Sequence, residues 1–412
     1  MEKVYGLLGR KLGHSWSAPI HHELGCNQYR LIELEPEELG PFLRREDIGG
    51  LNVTIPYKRE VMRYCDELDG LAQAIGSVNT IVRRDGKLYG YNTDAIGLRY
   101  MAARAGITFA DKKVVVLGSG GASLTAQALA RTDGAREVIV VSRSGENNYE
   151  NLHLHADADI LVNATPVGMF PKCGEAPVDL AAFPRCSGVL DLIYNPRRTA
   201  LLLQAEERSI PCSDGLPMLV AQAAAAEEYF FGKTIPESET ERIVALLRSQ
   251  MTNIVLIGMP GSGKTTVGEA LARLTGREAL DVDQELVKRA GRTIPEIFES
   301  DGEPTFRALE RQMTAELGAL SGKLILTGGG VIKDERNYAA LHQNGRIYHL
   351  WRELEVLPVE GRPVSQHSSA EKLWAERKAL YERFRDVLVD NNGTVEETAE
   401  AIWRDFCENS GT

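Results

Sequence analysis

Short apolar runs alternate with longer segments of helical periodicity along the whole chain, and glycine or asparagine bounds many of the runs. Runs rich in Val, Ile and Leu are typical of buried strands, whereas the periodic segments favour helices. Their alternation predicts α/β architecture with largely parallel sheets. The longest apolar runs are strand-sized, so we expect no membrane span. The clearest strand candidates are Lys113–Leu117, Glu137–Val141, Ile160–Asn163, Ile254–Ile257 and Leu324–Leu326.

Two glycine-rich loops, Gly118–Ser123 and Gly258–Thr265, each follow a strand candidate and precede a helical pattern. Such loops bind phosphates, so they predict two separate nucleotide-binding domains, with the boundary near residue 250. The length of 412 residues agrees, because roughly 150 residues make up a typical domain.

Composition narrows the function classes. Hydrophobic residues make up 43% and charged residues 25%, as in an ordinary globular protein, and the net charge of -11 argues against a nucleic-acid binder. The six cysteines form no C-x-x-C pair, which makes a disulfide framework or a zinc site a poor fit and favours a reducing cytoplasm. The first residues lack the apolar stretch of a signal peptide.

Three polar strings mark the N-terminal part of the chain. Together they offer hydroxyls, amides, one ammonium and one carboxylate, an inventory that suits a small polyhydroxylated acid. Lys58 and Asp94 on one hydroxyl could relay a proton in a ketone–alcohol interconversion. Singly, a serine pair is usually a cap, Lys58 a surface lysine and Asp94 a helix N-cap; the combination within a hundred residues favours a site. The strings are GHSWS (13–17), NVTIPYK (52–58), and VNT (78–80) with YNTD (91–94).

The first glycine loop, Gly118–Ser123, resembles a dinucleotide fingerprint whose third glycine is replaced by Ser123. A turn without a ligand is the alternative reading of this string alone. The next strand ends at Ser142-Arg143-Ser144, where an enzyme that uses NAD would be expected to carry a carboxylate. A guanidinium between two hydroxyls suits a 2′-phosphate, which favours NADP(H) over NAD(H).

Residues 1 to about 249 resemble shikimate dehydrogenase, because these strings are followed in the family's order by NATPVGM (163–169), DLIYNP (191–196) and DGLPMLVAQAA (214–224). The resemblance implies a substrate domain over 1–98, completed by a returning helix over 216–249, and a Rossmann-like NADP domain over 99–215. It implies that Lys58 is the catalytic residue, paired with Asp94. It assigns shikimate to Ser15, Ser17, Thr54, Lys58, Asn79, Asp94, Tyr194 and Gln222, and NADP to Gly118, Ser119, Gly120, Gly121, Ala122, Ser142, Arg143, Thr165, Ile193 and Gly215.

One segment departs from this family. Only sixteen residues separate Arg143 from the strand at Ile160, where the family usually has a further helix and strand. The sequence therefore predicts a shortened domain beside the adenosine pocket.

The second glycine loop matches G-x-x-x-x-G-K-[ST] in full. Its backbone amides would hold phosphates, Lys264 would neutralise β/γ oxygens, and Thr265 could bind Mg²⁺. Three further groups point to the phosphoryl acceptor: Asp281-Val-Asp283 after a strand, the guanidinium of Arg307, and the backbone loop Thr327–Gly330. Singly, these would be caps, a surface arginine and a turn.

Residues 252–412 resemble shikimate kinase, a P-loop domain like the nucleoside monophosphate kinases. The resemblance names Lys264 and Asp283 as catalytic and Thr265 as the metal ligand. It assigns shikimate to Asp283, Arg307, Gly329 and Arg377. It assigns ATP to Gly261, Ser262, Gly263, Lys264, Thr265, Thr266 and the lid arginine Arg362. The segment before the lid is shorter than in the family and lacks an adenine-stacking arginine, and a usual leucine pair is missing after Arg362.

The sequence thus predicts a bifunctional enzyme. It would reduce 3-dehydroshikimate with NADPH and phosphorylate the shikimate formed with Mg·ATP, as a cytoplasmic monomer or homodimer that binds small molecules rather than nucleic acid or membrane. Two alternatives remain: a catalytically weak sensor of quinate or shikimate, and a quinate dehydrogenase fused to a kinase.

Overall fold

The computed structural model describes residues 2–13, 15–357 and 370–411. Its contacts divide the chain into two compact units. Unit 1 comprises residues 1–167, 176–194 and 204–244, and unit 2 comprises 168–175, 195–203 and 245–412. No helix within the described ranges is long and apolar enough to cross a membrane.

Unit 1 contains a mixed sheet whose described strands follow the order β2-β1-β3-β5-β6-β4. β1 pairs in parallel with β2 and β3, whereas β5 runs antiparallel to β3 and β6. The strands are β1 (Val4–Gly9), β2 (Tyr29–Glu33), β3 (Ile48–Val53), β4 (Glu67–Leu68), β5 (Thr80–Arg84) and β6 (Lys87–Tyr91). The helices are α1 (Ser17–Glu23), α2 (Pro36–Leu43), α3 (Gly70–Ile75) and α4 (Thr93–Arg104).

A second sheet in unit 1 is parallel and follows the order β11-β10-β9-β7-β8 in the described residues. Its inner strands β9 and β7 are buried at every position, as their apolar runs predict. The strands are β7 (Lys113–Leu117), β8 (Glu137–Val141), β9 (Ile160–Asn163), β10 (Gly188–Asp191) and β11 (Cys212–Ser213). The helices that follow in the chain are α5 (Gly121–Thr132), α6 (Ala200–Glu207), α7 (Leu216–Phe231) and α8 (Glu237–Met251).

Where the sequence predicts one returning helix over 216–249, the chain forms α7 and α8. The break lies at Gly232, whose φ of +62° ends α7 in a left-handed cap.

Unit 2 contains a third parallel sheet, ordered β13-β14-β12-β15-β16 among the described strands. Its strands are β12 (Asn253–Gly258), β13 (Ala279–Asp281), β14 (Leu324–Leu326), β15 (Gly345–Trp351) and β16 (Val387–Asp390). Its helices are α9 (Lys264–Thr275), α10 (Val282–Ala290), α11 (Ile294–Gly318), α12 (Glu335–His342), α13 (Ala370–Phe384) and α14 (Val395–Asn409). These parallel sheets confirm the predicted α/β class.

Candidate functional site

Two cavities hold the residues that the sequence singles out, one in each unit. The cavity of unit 1 has a volume of about 300 Å³. All the side chains assigned to shikimate in this part of the chain line it: Ser15, Ser17, Thr54, Lys58, Asn79, Asp94, Tyr194 and Gln222. Residues from distant parts of the chain therefore meet at one place.

The Lys58–Asp94 ion pair lies in this cavity. Lys58 Nζ lies 2.5 Å from Asp94 Oδ2, and the two side chains are 27% and 17% exposed. The second carboxylate oxygen accepts a hydrogen bond of 2.9 Å from the Asn79 side-chain amide. Such an ammonium can exchange a proton with a substrate oxygen while the carboxylate holds it in place.

Helix α4 presents Asp94 to the cavity. The helix is capped by Asn92, whose side chain accepts a hydrogen bond from the Ala95 backbone N–H at 3.2 Å. Asp94 is therefore not the N-cap of this helix, the ordinary role of an aspartate at this place. Its carboxylate lies in the first turn, where the helix dipole favours negative charge. Helix α7 also lines the cavity, and it packs so closely on α4 that a Cβ on Gly97 would lie 2.5 Å from the carbonyl oxygen of Met218.

The predicted NADP loop leads from β7 into α5. Gly118 has a φ of +104°, and a Cβ there would lie 2.9 Å from the Ala164 carbonyl oxygen, so the turn requires glycine. Around Gly120 and Gly121 a Cβ would meet nothing within 4 Å. Open backbone at a helix N-terminus fits a pyrophosphate. Ser123, in the third glycine's place, is fully buried within α5.

The remaining residues assigned to NADP lie on neighbouring loops of this sheet. Thr165 contacts the Gly118 position, and the Gly215 backbone N–H donates to the Ile193 carbonyl at 2.9 Å. Of the ten residues assigned to NADP, Ala122 and Gly215 also line the cavity beside the substrate side chains. Ser142 and the exposed Arg143 follow β8 directly.

The segment after β8 is short, as predicted. Between β8 and β9 the structure has turns and one 3-10 turn, Leu152–His155, with no further strand in these described residues. Directly after β8, the Ser142 backbone N–H donates a hydrogen bond of 3.1 Å to the Asn147 carbonyl and so closes a turn over residues 142–147.

The cavity of unit 2 has a volume of about 580 Å³. Residues assigned to ATP and to shikimate line it together: Gly261, Gly263, Lys264, Thr265, Thr266, Asp283, Arg307, Gly329 and Arg377. Ser262 is 1% exposed and is not part of the lining. Arg362 lies outside the described residues.

The phosphate loop follows the central strand β12. Gly261 and Gly263 have φ values of +86° and +90°, which suit glycine. Lys264 Nζ donates to the loop carbonyls of Gly258 and Met259 at 2.9 and 3.1 Å. This ammonium at the start of α9 fits a triphosphate. For Mg²⁺, the Thr265 hydroxyl shares the cavity with the Asp281 carboxylate, the hard oxygen donors that this ion prefers.

Asp283 has the electrostatics of a base. Burial, helped by the nearby carboxylates of Glu310 and Asp281, raises its pKa to about 6, although Lys264 and Arg307 oppose the shift. One of its oxygens, Oδ1, is buried without a hydrogen-bond partner among the described residues. A carboxylate with this pKa can accept a hydroxyl proton near neutral pH.

The glycine run after β14 allows this close packing. A Cβ on Gly328 would lie 2.9 Å from Asp283 Oδ1, and one on Gly330 would lie 2.5 Å from Arg307 Nη1. The Gly329 carbonyl accepts a hydrogen bond of 2.9 Å from Arg377, which is 3% exposed. Two guanidinium groups and a carboxylate thus meet around one backbone loop.

Sequence reasoning missed several lining residues of these cavities, among them the polar residues Glu310 and Asn52. Glu310 is 1% exposed, lies 2.6 Å from Arg307 and lines the cavity of unit 2; its i+3 spacing from that arginine on α11 was the available signal. Asn52 lines the cavity of unit 1 and is 5% exposed. It is the first residue of NVTIPYK (52–58), but the motif alone does not indicate that this side chain is buried.

Models of known protein families match both parts of the chain. The family model for the shikimate dehydrogenase substrate binding domain matches residues 7–81, and that for the shikimate 5'-dehydrogenase C-terminal domain matches 215–244. The shikimate kinase model matches residues 260–406.

Individual relatives cover the N-terminal part. Shikimate dehydrogenase (NADP(+)) from Clostridium beijerinckii is 35% identical over 268 residues, which are 60% of this chain and 99% of the relative. A chorismate mutase/shikimate 5-dehydrogenase fusion protein from Clostridium acetobutylicum has a solved structure with 37% identity and a TM-score of 0.57, over 60% of this chain and 97% of that one. The Thermus thermophilus shikimate 5-dehydrogenase, solved with NADP(H) and shikimate, has 30% identity and a TM-score of 0.53, over 59% and 98%.

NADP(+) stands in the name of the Clostridium beijerinckii relative, and the Thermus thermophilus enzyme holds NADP(H) in its solved structure. The chain belongs to the shikimate dehydrogenase family in its N-terminal part and carries a shikimate kinase domain in its C-terminal part.

Proposed function

We propose that the first site reduces 3-dehydroshikimate to shikimate and that the second converts this shikimate to shikimate 3-phosphate. The convergence of eight predicted side chains on one cavity, with Lys58 and Asp94 2.5 Å apart, is the observation that carries the first assignment.

In the first reaction, bound NADPH supplies the hydride. The Lys58 ammonium donates the proton that the reduced carbonyl oxygen requires, and Asp94 holds this ammonium in place. Ser15 and Ser17, whose hydroxyls lie 3.1 Å apart, would hold the substrate together with Asn79 and Gln222.

In the second reaction, bound Mg·ATP supplies the phosphoryl group. Asp283 orients the acceptor hydroxyl and takes its proton, while Arg307 and Arg377 hold the substrate carboxylate. Lys264 and the loop amides would stabilise the charge on the phosphate oxygens.

The experiment combines 3-dehydroshikimate, NADPH and Mg·ATP with the full-length chain. We expect loss of NADPH absorbance together with formation of shikimate 3-phosphate. NADPH loss without phosphorylated product would refute the kinase assignment. Phosphorylation of added shikimate without NADPH oxidation would refute the dehydrogenase assignment.

Parallel reactions separate the two alternatives. A quinate dehydrogenase would oxidise quinate with NAD faster than shikimate with NADP. A sensor would bind shikimate or quinate with negligible turnover at both sites. The complete Lys58–Asp94 pair and phosphate loop argue against the sensor. The basic Arg143 directly after β8 argues against a quinate dehydrogenase that uses NAD.

A further inference from the structure

A run of hydrogen bonds, buried except for its last one, leads from β2 to the proposed catalytic carboxylate. The Tyr29 hydroxyl donates to Asn52 Oδ1 on β3 at 2.7 Å. Asn52 Nδ2 donates to the Thr80 hydroxyl at 3.1 Å, and that hydroxyl lies 3.2 Å from Asn79 Oδ1. The Asn79 amide then donates to Asp94 Oδ1 at 2.9 Å. The run therefore connects three strands of the mixed sheet with the first turn of α4.

Tyr29 stands outside the cavity but is held firmly. Its ring stacks on the His21 imidazole with centroids 3.8 Å apart and planes 8° apart. His21 Nδ1 in turn lies 2.6 Å from Glu227 Oε1, and both of these side chains are fully buried. Since α1 carries His21 and α7 carries Glu227, two helices fix the position of the tyrosine ring.

The directions of the first two hydrogen bonds in the run follow from the chemistry of Tyr29. Burial raises the pKa of the Tyr29 phenol well above its ordinary value, so the hydroxyl keeps its proton and donates. Asn52 must then turn its carbonyl oxygen to Tyr29 and its NH₂ group to Thr80.

A separate donor, the Thr93 backbone N–H, fixes the orientation of Asn79. Its oxygen accepts from the Thr93 backbone N–H at 2.7 Å and faces Thr80, which leaves the NH₂ group for Asp94. Hydrogen bonds in such a network strengthen one another, so loss of the one from Tyr29 weakens the one from Asn79 to Asp94.

We propose that Tyr29 is a positioning residue for the dehydrogenase. Through Asn52, Thr80 and Asn79, the tyrosine hydroxyl helps to hold Asp94 beside Lys58. This role rests on the proposed function of the Lys58–Asp94 pair. Without the hydroxyl, Asn52 loses the partner that fixes its amide, and the hold on the carboxylate loosens.

The test is Tyr29→Phe in the full-length chain, which keeps the ring on His21 and removes only the hydroxyl. We expect kcat for 3-dehydroshikimate reduction to fall roughly 3- to 10-fold, the size of one net hydrogen bond, with KM for NADPH unchanged. Kinase turnover of the same sample should stay at the wild-type rate. The matched control is Tyr100→Phe, which removes a hydroxyl that donates to Glu241 on α8, and its kcat should remain that of the wild type.

A second variant, Thr80→Val, interrupts the run at its centre and should lower kcat to a similar extent. If the two residues act through one run, the double variant is no slower than the slower single variant. Wild-type kcat in both single variants, or effects that multiply in the double variant, would overturn the proposal. Failure of the proposed function looks different, because the wild-type chain itself would then not reduce 3-dehydroshikimate.

Discussion

The side chain of Lys58 lies 2.5 Å from the Asp94 carboxylate in the cavity assigned to the substrate, as a residue that transfers a proton would. Lys58→Ala should lower dehydrogenase turnover on the order of 10²–10⁴-fold, because the carbonyl oxygen loses its proton donor. NADPH absorbance at saturating 3-dehydroshikimate measures the loss. Kinase activity in the same preparation is the control for folding, and near-normal reduction would show that this lysine does not transfer the proton.

Asp283 supports a prediction on pH. Since its folded pKa of about 6 lies above the ordinary carboxyl value, the fraction of active base falls as the pH drops through 6. We expect kcat of the kinase to show an acidic limb near this value. A limb below about 4.5, near ordinary carboxyl values, would contradict the assignment.

The same shift predicts a change in stability. A raised carboxyl pKa favours the folded state below the unfolded pKa of about 4, and this advantage is lost as the pH rises through 6. Asp283→Asn should therefore raise the stability of unit 2 at pH 7.5 by about 1–2 kcal/mol and abolish phosphorylation. Thermal unfolding at pH 7.5 and pH 4 measures the difference, which should shrink at the lower pH. An equal or lower melting temperature at pH 7.5 would contradict it.

Residues inside recognisable strings could be placed from the sequence, whereas their supporting neighbours could not. The side chains of GHSWS, NVTIPYK and YNTD that were assigned to substrate all line one cavity. Glu310 and Tyr29 were missed, because their importance depends on burial and on partners that only the folded chain brings near. The roles assigned to the individual residues remain predictions.

At the scale of elements, the short segment after β8 leaves Arg143 as the basic side chain directly behind this strand. Arg143→Ala should raise KM for NADPH roughly 10-fold or more, since a charge-assisted contact with the 2′-phosphate would be lost. KM for NADH should change little. The ratio of KM for NADPH to KM for NADH, measured in the variant and in the wild type, tests this prediction.

Arg131→Ala is the matched control, because Arg131 is an exposed arginine on α5 that donates to Gln127 in its own helix. It should leave both constants unchanged. Equal changes in KM for NADPH and NADH in Arg143→Ala would show that this arginine does not recognise the phosphate.

Elements with strong patterns were predictable, and their interruptions were not. Lys113–Leu117, Glu137–Val141 and Ile160–Asn163 are strands at the predicted boundaries. The broken helix over 216–249 and the kink of α11 at Gly302, with φ of +80°, depend on single glycines. Helical periodicity continues across such residues, so the pattern alone does not reveal the break.

At the scale of the whole molecule, the two cavities lie in different units and share none of their lining residues. Lys264→Ala should therefore abolish kinase turnover and leave 3-dehydroshikimate reduction at the wild-type rate, because Lys264 belongs to the phosphate loop alone. Separate assays of the two activities measure this. Loss of both activities would indicate that the two units depend on each other.

The edge strand β8 of the parallel sheet is a candidate site of aggregation in concentrated solution. β8 pairs with β7 on one side, and its other side has no strand partner within the described residues. Main-chain groups on this side could pair with a strand of another molecule. The strand also carries three half-buried apolar side chains, Val138, Ile139 and Val140. The charged Glu137 and Arg143 flank this apolar stretch at either end, as gatekeepers against aggregation do in other proteins. Replacing them with apolar residues would be expected to turn a soluble preparation into one that precipitates on storage.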